Sequence, residues 1–179
     1  MRPQTVLDFW FTEITPADWF GKSADLDQQI RTRFLTLTES AAKCELFAWR
    51  KTIEGRLAEI IVLDQFSRNL WRDTPRAFAQ DSMAIALAQE AVTHPDYEKL
   101  PPIQRKFILM PYMHSESALI HQYAVPLFQA LNDNYTLDYE LKHKVIIDRF
   151  GRYPHRNGIL ARTSTEEEIA FLNQPNSSF

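Results

Sequence analysis

The run from Leu57 to Leu70 constrains the fold most. Leu57, Ile60, Ile61, Asp64 and Arg68 follow the i, i+3, i+4, i+7, i+11 spacing of one helix face. Val62, Leu63, Phe66 and Leu70 cover much of the remaining circumference. A helix that is apolar nearly all round belongs at the centre of a bundle. The chain has 179 residues, enough for one domain whose core removes roughly 70% of the unfolded surface from water. An all-α single domain over residues 1–179 is expected.

Other segments repeat the helical period. Leu26, Ile30, Phe34 and Leu37 mark a helix from Asp25 to about Ser40. Ala84, Leu87, Ala88, Ala91 and Val92 mark another from Asp81 to Thr93, with Asp81 as its N-cap. Pro101 and Pro102 open a helix that should end or bend near Met110, ahead of Pro111. Ser115 would cap the next, with Leu119, Tyr123 and Leu127 inward and a kink at Pro126. Thr165 and Glu168 form a capping box before Ile169, Phe171 and Leu172. Tyr135, Leu137, Tyr139 and Leu141 alternate with polar residues, which is a strand signal. Helix is expected there nonetheless, because Val145, Ile146 and Phe150 continue in helical register and a lone strand would have no partner.

Counting removes several function classes. Lys plus Arg is 20 against 23 for Asp plus Glu, a net charge of -3, so non-specific nucleic-acid binding is disfavoured. Cys44 is the single cysteine, which excludes an internal disulfide or a cysteine zinc site and makes a poor nucleophile without a nearby histidine. Gly21, Gly55, Gly151 and Gly158 lie too far apart for a dinucleotide or Walker loop, and no serine sits between two glycines. Ile60–Leu63 and Phe107–Met113 are too short to span a bilayer, and the N-terminus does not read as a signal peptide. A cytoplasmic location is expected, in which the Asn176–Ser178 sequon carries no meaning. His114, Glu116, His121, His143 and His155 offer metal-ligand chemistry but lack the His-Glu-x-x-His spacing. No metal and no cofactor is expected.

Four patches put polar residues where apolar ones would be expected. In Leu63–Asn69, Asp64 and Arg68 end the buried stripe in a charged pair, which is either an ordinary i,i+4 ion pair or part of a site. In Pro111–Glu116, His114 precedes Glu116, which is expected in the first turn of the next helix. Asp148–Asn157 packs Arg149, Arg152, Arg156, His155 and Asn157 around Gly151 and Pro154. Arg162 precedes the Thr163–Glu168 helix start. Six Lys or Arg and one acidic residue between Lys142 and Arg162 give a local charge of +5. Arginines crowded at one turn suit a few carboxylates or one anion better than a nucleic acid.

Taken together, these residues resemble a known family. Leu7-Asp8-Phe9-Trp10-Phe11, Leu63-Asp64-Gln65-Phe66-Ser67-Arg68-Asn69, His114-Ser115-Glu116, Arg149 to Asn157 and Ser164 to Glu168 are similar, in order and from end to end, to the bacterial domain of unknown function 924 family. Ser67 stands where proline is common in that family and Tyr153 where phenylalanine is. The resemblance implies a tetratricopeptide-like bundle of packed antiparallel helix pairs. It implies no activity.

Two functions remain open. The first is a pocket for a small anionic ligand, enzymatic or not. Its ligand-binding residues would be Asp64, Gln65, Arg68, Asn69, Arg149, Arg152, Arg156 and Asn157, and its catalytic candidates His114, Glu116 and His155. The second is a helical interaction module for a peptide or acidic tail. Clustering of the polar residues near four helix ends favours the pocket. The structural alternative for the arginines is a clasp, closed on Asp64, Glu116 and the Glu166–Glu168 helix start.

Overall fold

The structure, a computed structural model, describes residues 1–175 and 177. Asn176 and Ser178 of the sequon lie outside the described residues. Helices, turns and irregular segments make up those residues, without a strand. Among the described residues no helix is long and apolar enough to cross a membrane. The chain divides into two compact units, one of Met1–Arg72 with Arg76–Pro111, the other of Asp73–Pro75 with Tyr112–Phe179.

In the first unit, α1 (Pro3–Asp8) runs directly into a π-helical turn, Phe9–Glu13. Pro3 opens it, where a missing N–H costs nothing. Helix α2 (Ala24–Ala42) is capped by Ser23, whose Oγ accepts from the Leu26 N–H at 3.2 Å. Helix α3 (Ile53–Ile61) passes through a second π-helical turn, Val62–Phe66, into α4 (Ser67–Leu70). Helix α5 is Asp81–Val92 and α6 is Pro102–Met113, the latter belonging to this unit as far as Pro111. Helix α1 packs on α3, α3 on α5 and α2 on α4. The two π turns meet through aromatic rings. Phe9 and Phe66 each lie 4.9 Å from Phe34, and Trp10 sits edge-on to Phe66 at 5.7 Å. Glu59 is fully buried on α3 and held by the Arg50 fork at 2.7 and 2.8 Å. Nothing in the spacing had announced that pair.

The second unit contains α7 (Ala118–Gln129), α8 (Asn134–Phe150), a 3-10 turn at Pro154–Arg156 and α9 (Glu166–Leu172). Helices α7 and α8 pack as a pair, and α9 packs on the 3-10 turn. The alternating Tyr135–Leu141 stretch is helical, with Asp133 accepting the Thr136 N–H at 3.1 Å. Gly151 ends α8 at φ 67°, the left-handed cap that glycine takes without strain. Ile146, Ile147 and Tyr153 form the local core against Ala118, Phe150 and Phe171.

Expectations for three helices need correction. Helix α6 runs through Pro111 to Met113 instead of stopping at Met110. Helix α7 is capped by Ser117, not Ser115, so Glu116 lies ahead of the helix and not in its first turn. That shift turns the helix. His121, Ala124 and Phe128 face inward, while Leu119 and Tyr123 are 58% and 63% exposed. Asp81 sits inside the first turn of α5, and Gln80 is the cap residue.

Gly55 is the one glycine fixed by space. A Cβ there would stand 1.9 Å from the Trp49 carbonyl oxygen, and backbone cannot step aside as a side-chain tip can. Gly55→Ala should therefore destabilise the protein by about 1–3 kcal/mol in urea titration, against a near-neutral change for Gly158→Ala, whose site is open.

Candidate functional site

The expected site residues fall in both units. In the first unit, Asp64 and Gln65 occupy the π turn, a geometry often found at functional positions. Both are buried. Gln65 Nε2 donates to Asp64 Oδ2 at 2.5 Å. Arg68 Nη1 donates to the Asp64 carbonyl at 2.8 Å and lies 3.1 Å from Asp64 Oδ1. Its two terminal nitrogens also reach the Asp81 carboxylate, both at 3.0 Å. So the i,i+4 pair exists, and Asp81 joins it instead of capping α5. Asn69 donates to Asp27 at 2.8 Å beside the Arg72 fork, also at 2.8 Å. Burial would raise the Asp27 pKa, but Arg72 and Asn69 bring it below its usual value.

In the second unit the arginine-rich turn is closed on carboxylates. Arg162 grips Glu116 at 2.6 and 2.8 Å, and its Nε donates to Asn157 Oδ1 at 3.0 Å. Glu116 Oε1 also accepts the Tyr153 N–H at 2.7 Å. Burial alone would push Glu116 up. The Arg162 fork, the Tyr153 N–H and nearby Arg156 hold it below the usual carboxylate range. Arg152 grips Glu168 at 2.6 and 2.8 Å and donates to the Thr163 carbonyl at 3.0 Å. Glu168 completes the capping box with Thr165 and accepts from Asn157 at 3.2 Å. Led by Arg152, these donors pull its carboxyl down to about 2. Arg149 pairs with Glu167 at 2.8 Å, in the open. Arg156 donates to the His114 carbonyl at 3.1 Å and lies 4.6 Å over the Tyr153 ring. Arg149, Arg152 and Arg162 are thus engaged by protein groups, and Arg162, absent from the expected ligand set, is the most fully bonded of them. Glu116, a catalytic candidate, is held ionised and bonded through both oxygens. That suits a structural anchor better than a proton carrier.

The sequence reading named His121 only for its ligand chemistry and did not foresee its buried partner, Glu140. His121 on α7 and Glu140 on α8 are both fully buried, with Nδ1 2.7 Å from Glu140 Oε1. His121 Nε2 lies 2.9 Å from the Ser115 carbonyl, which can only accept, so Nε2 carries a hydrogen. Burial pushes Glu140 upward against the hydrogen bond from His121. The available signal was Glu140 in register with Thr136 and His143 on the inner face of α8. Tyr153 gathers this region. Its hydroxyl donates to the Met113 carbonyl at 2.5 Å, and the rings of His155, His143 and His121 lie 5.5, 5.7 and 6.5 Å away. His143 Nδ1 donates to the Tyr139 carbonyl at 2.7 Å. His155 has a buried Nδ1 with no hydrogen-bond partner, although the ring is partly exposed. Among the described residues no three His, Cys, Asp or Glu side chains gather as metal ligands.

Two tests follow from this geometry. Glu116→Gln should lose roughly 2 kcal/mol in urea titration, less than the 3–5 kcal/mol of a fully buried pair, because Arg162 keeps some exposure. Glu167→Gln, whose partner is exposed, should change stability by less than about 0.5 kcal/mol. The second test concerns acid. Burial lowers His143 to about 3 and His155 to about 4, the latter helped by Arg156. Between these values and the unfolded pKa near 6.5 the unfolded chain binds more protons, so stability falls as pH drops from about 6.5 towards 4. The slope should approach 1.4 kcal/mol per pH unit for each histidine. His143→Phe should flatten the melting-temperature profile over that range.

Comparison with known proteins gives the lineage. The profile of bacterial proteins of unknown function, DUF924, matches residues 6–176. No curated protein matches the chain. A solved structure of a protein of unknown function from Agrobacterium tumefaciens is similar throughout, at 36% identity and a TM-score of 0.91, over 96% of each chain. With the matched residues running from the first helix to the last, the chain belongs to the DUF924 family.

Proposed function

We propose that the second unit binds a small anionic ligand at the Tyr153–Asn157 turn, with His155 as the side chain that touches it. The observation that carries this reading is His155 itself. Its buried Nδ1 has no hydrogen-bond partner among the described residues, whereas Arg149, Arg152 and Arg162 of the same segment are each paired with a carboxylate. The charges around it favour an anion. After burial, Arg156 is the largest influence lowering its proton affinity, with Arg162 and His114 acting the same way and Glu116 opposing. A positive potential that repels a proton attracts an oxyanion. Acid–base catalysis is less well supported, since a group near 4 is a weak base at neutral pH.

A second reading, docking of a peptide, draws on α7. That helix contains no Asp, Glu, Lys or Arg and leaves Leu119 and Tyr123 exposed on one face. Thermal shift against phosphate, sulfate and small carboxylates decides for or against the first. A ligand at a hundred times its dissociation constant should stabilise wild type by roughly 2.7 kcal/mol. His155→Ala should abolish the shift and Arg149→Ala should retain it. No shift with any anion, or equal shifts in wild type and His155→Ala, would overturn the proposal.

A further inference from the structure

We infer that Tyr135 and Tyr139, in the first turns of α8, form an oxidative modification site: one-electron oxidants join the two phenols by a carbon–carbon bond within a single helix. Neither residue belongs to the anion site proposed above.

Helical spacing sets the pair. Residues four apart are neighbours on a helix surface, which brings two aromatic side chains together. Here the ring centroids are 5.0 Å apart at 47°, and the Tyr135 hydroxyl donates to the Tyr139 hydroxyl at 3.3 Å. Contact between the hydroxyls brings the neighbouring ring carbons close, and those carbons carry much of the unpaired electron of a phenoxyl radical. The surroundings hold both rings in place. Asp133 caps the helix by accepting the Thr136 N–H at 3.1 Å. The Lys142 ammonium, 2.6 Å from Asp138, lies 5.0 Å over the Tyr139 ring. Tyr135 is 67% exposed and Tyr139 partly so, which leaves the pair open to an oxidant from solvent. The chain has six tyrosines. Tyr97, Tyr112 and Tyr153 are buried, and Tyr123 is exposed but meets no second tyrosine among the described residues.

Each phenol gives up one electron and its hydroxyl proton to become a phenoxyl radical. The hydrogen bond with Tyr139 raises the Tyr135 pKa above its usual value, so Tyr135 starts as the neutral phenol and its proton leaves with the electron. The two radicals couple through the ring carbons next to their oxygens. The hydrogens on those carbons then pass to the oxygens and restore both phenols. Two electrons and two protons leave in all. Hydrogen peroxide, acting through a peroxidase, accepts them and becomes two molecules of water. Proximity selects the partner, because two rings already in contact react with each other before either meets a second chain. The product ties residue 135 to residue 139 across one turn, at the start of a helix that packs on α7.

The test is to treat the dilute full-length chain with a haem peroxidase and hydrogen peroxide. Wild type should gain dityrosine fluorescence, lose the mass of two hydrogens and still run as a single chain in denaturing electrophoresis. Peptide mapping should place the link between Tyr135 and Tyr139. Tyr135→Phe and Tyr139→Phe should each lose the fluorescence, because phenylalanine has no hydroxyl hydrogen to give, while Tyr123→Phe should keep it. Circular dichroism should show all three variants as helical as wild type. Fluorescence retained in Tyr135→Phe, chains joined to one another in place of an internal link, or no fluorescence under conditions that couple free tyrosine would each overturn the inference.

Discussion

The carboxylate of Glu116 organises the polar end of the second unit. It sits in the loop ahead of α7 and takes three hydrogen bonds from residues 37 and 46 positions later in the chain. Two come from one guanidinium in fork geometry, the strongest arrangement available to a surface carboxylate. The third, from the Tyr153 N–H, places Tyr153 directly after the left-handed turn at Gly151. Tyr153 is then buried with its hydroxyl on the Met113 carbonyl, and three histidine rings pack round it. With the bonds from Tyr153 to the Met113 carbonyl and from Arg156 to the His114 carbonyl, that anchor fixes the turn that carries His155 to the segment before α7.

A second clasp repeats the logic one turn later. Arg152, Asn157 and the Thr165 backbone all meet Glu168, so the capping box of α9 also serves as the acceptor for the arginine turn. The local charge of +5 between Lys142 and Arg162 is thereby largely distributed over carboxylates. Lys142 and Lys144 pair with Asp138 and Asp148, Arg149 with Glu167, Arg152 with Glu168 and Arg162 with Glu116. The cluster is chiefly a clasp, and within it the buried Nδ1 of His155 has no hydrogen-bond partner among the described residues.

The first unit solves a different problem. Its central helix is apolar nearly all round yet contains Asp64, Gln65 and Arg68. The π turn at Val62–Phe66 inserts one extra residue into the helical repeat, which re-aims the side chains after Ile61. Phe66 meets Phe9, Phe34 and Trp10, while Asp64 stays buried with Gln65 and Arg68 as donors. A regular i, i+3, i+4 pattern does not disclose such an insertion. The periodicity placed Asp64 and Arg68 together correctly, and Asp81, 13 residues beyond Arg68, completed the group by tertiary packing.

Local signals in the chain were enough for the helices, because they depend on spacing and on caps within a few residues. The capping box of Thr165 and Glu168, the glycine stop at Gly151 and the helical register of Val145, Ile146 and Phe150 were all legible. So was the presence of a polar constellation in Leu63–Asn69, His114–Glu116 and Arg149–Asn157. Its wiring was not. Whether an arginine meets a carboxylate 16 or 46 residues away is a matter of packing, and each arginine here had several acidic residues to choose from. The facing of α7 was lost for a similar reason: Ser115 and Ser117 are equally good caps by type, and choosing between them rotates the helix by about 200°. That choice buried His121 against Glu140 and left Leu119 and Tyr123 outside. Composition and spacing therefore determined that the chain is all-α and where its polar groups are gathered. Only tertiary packing decided which of them pair with one another to hold the fold.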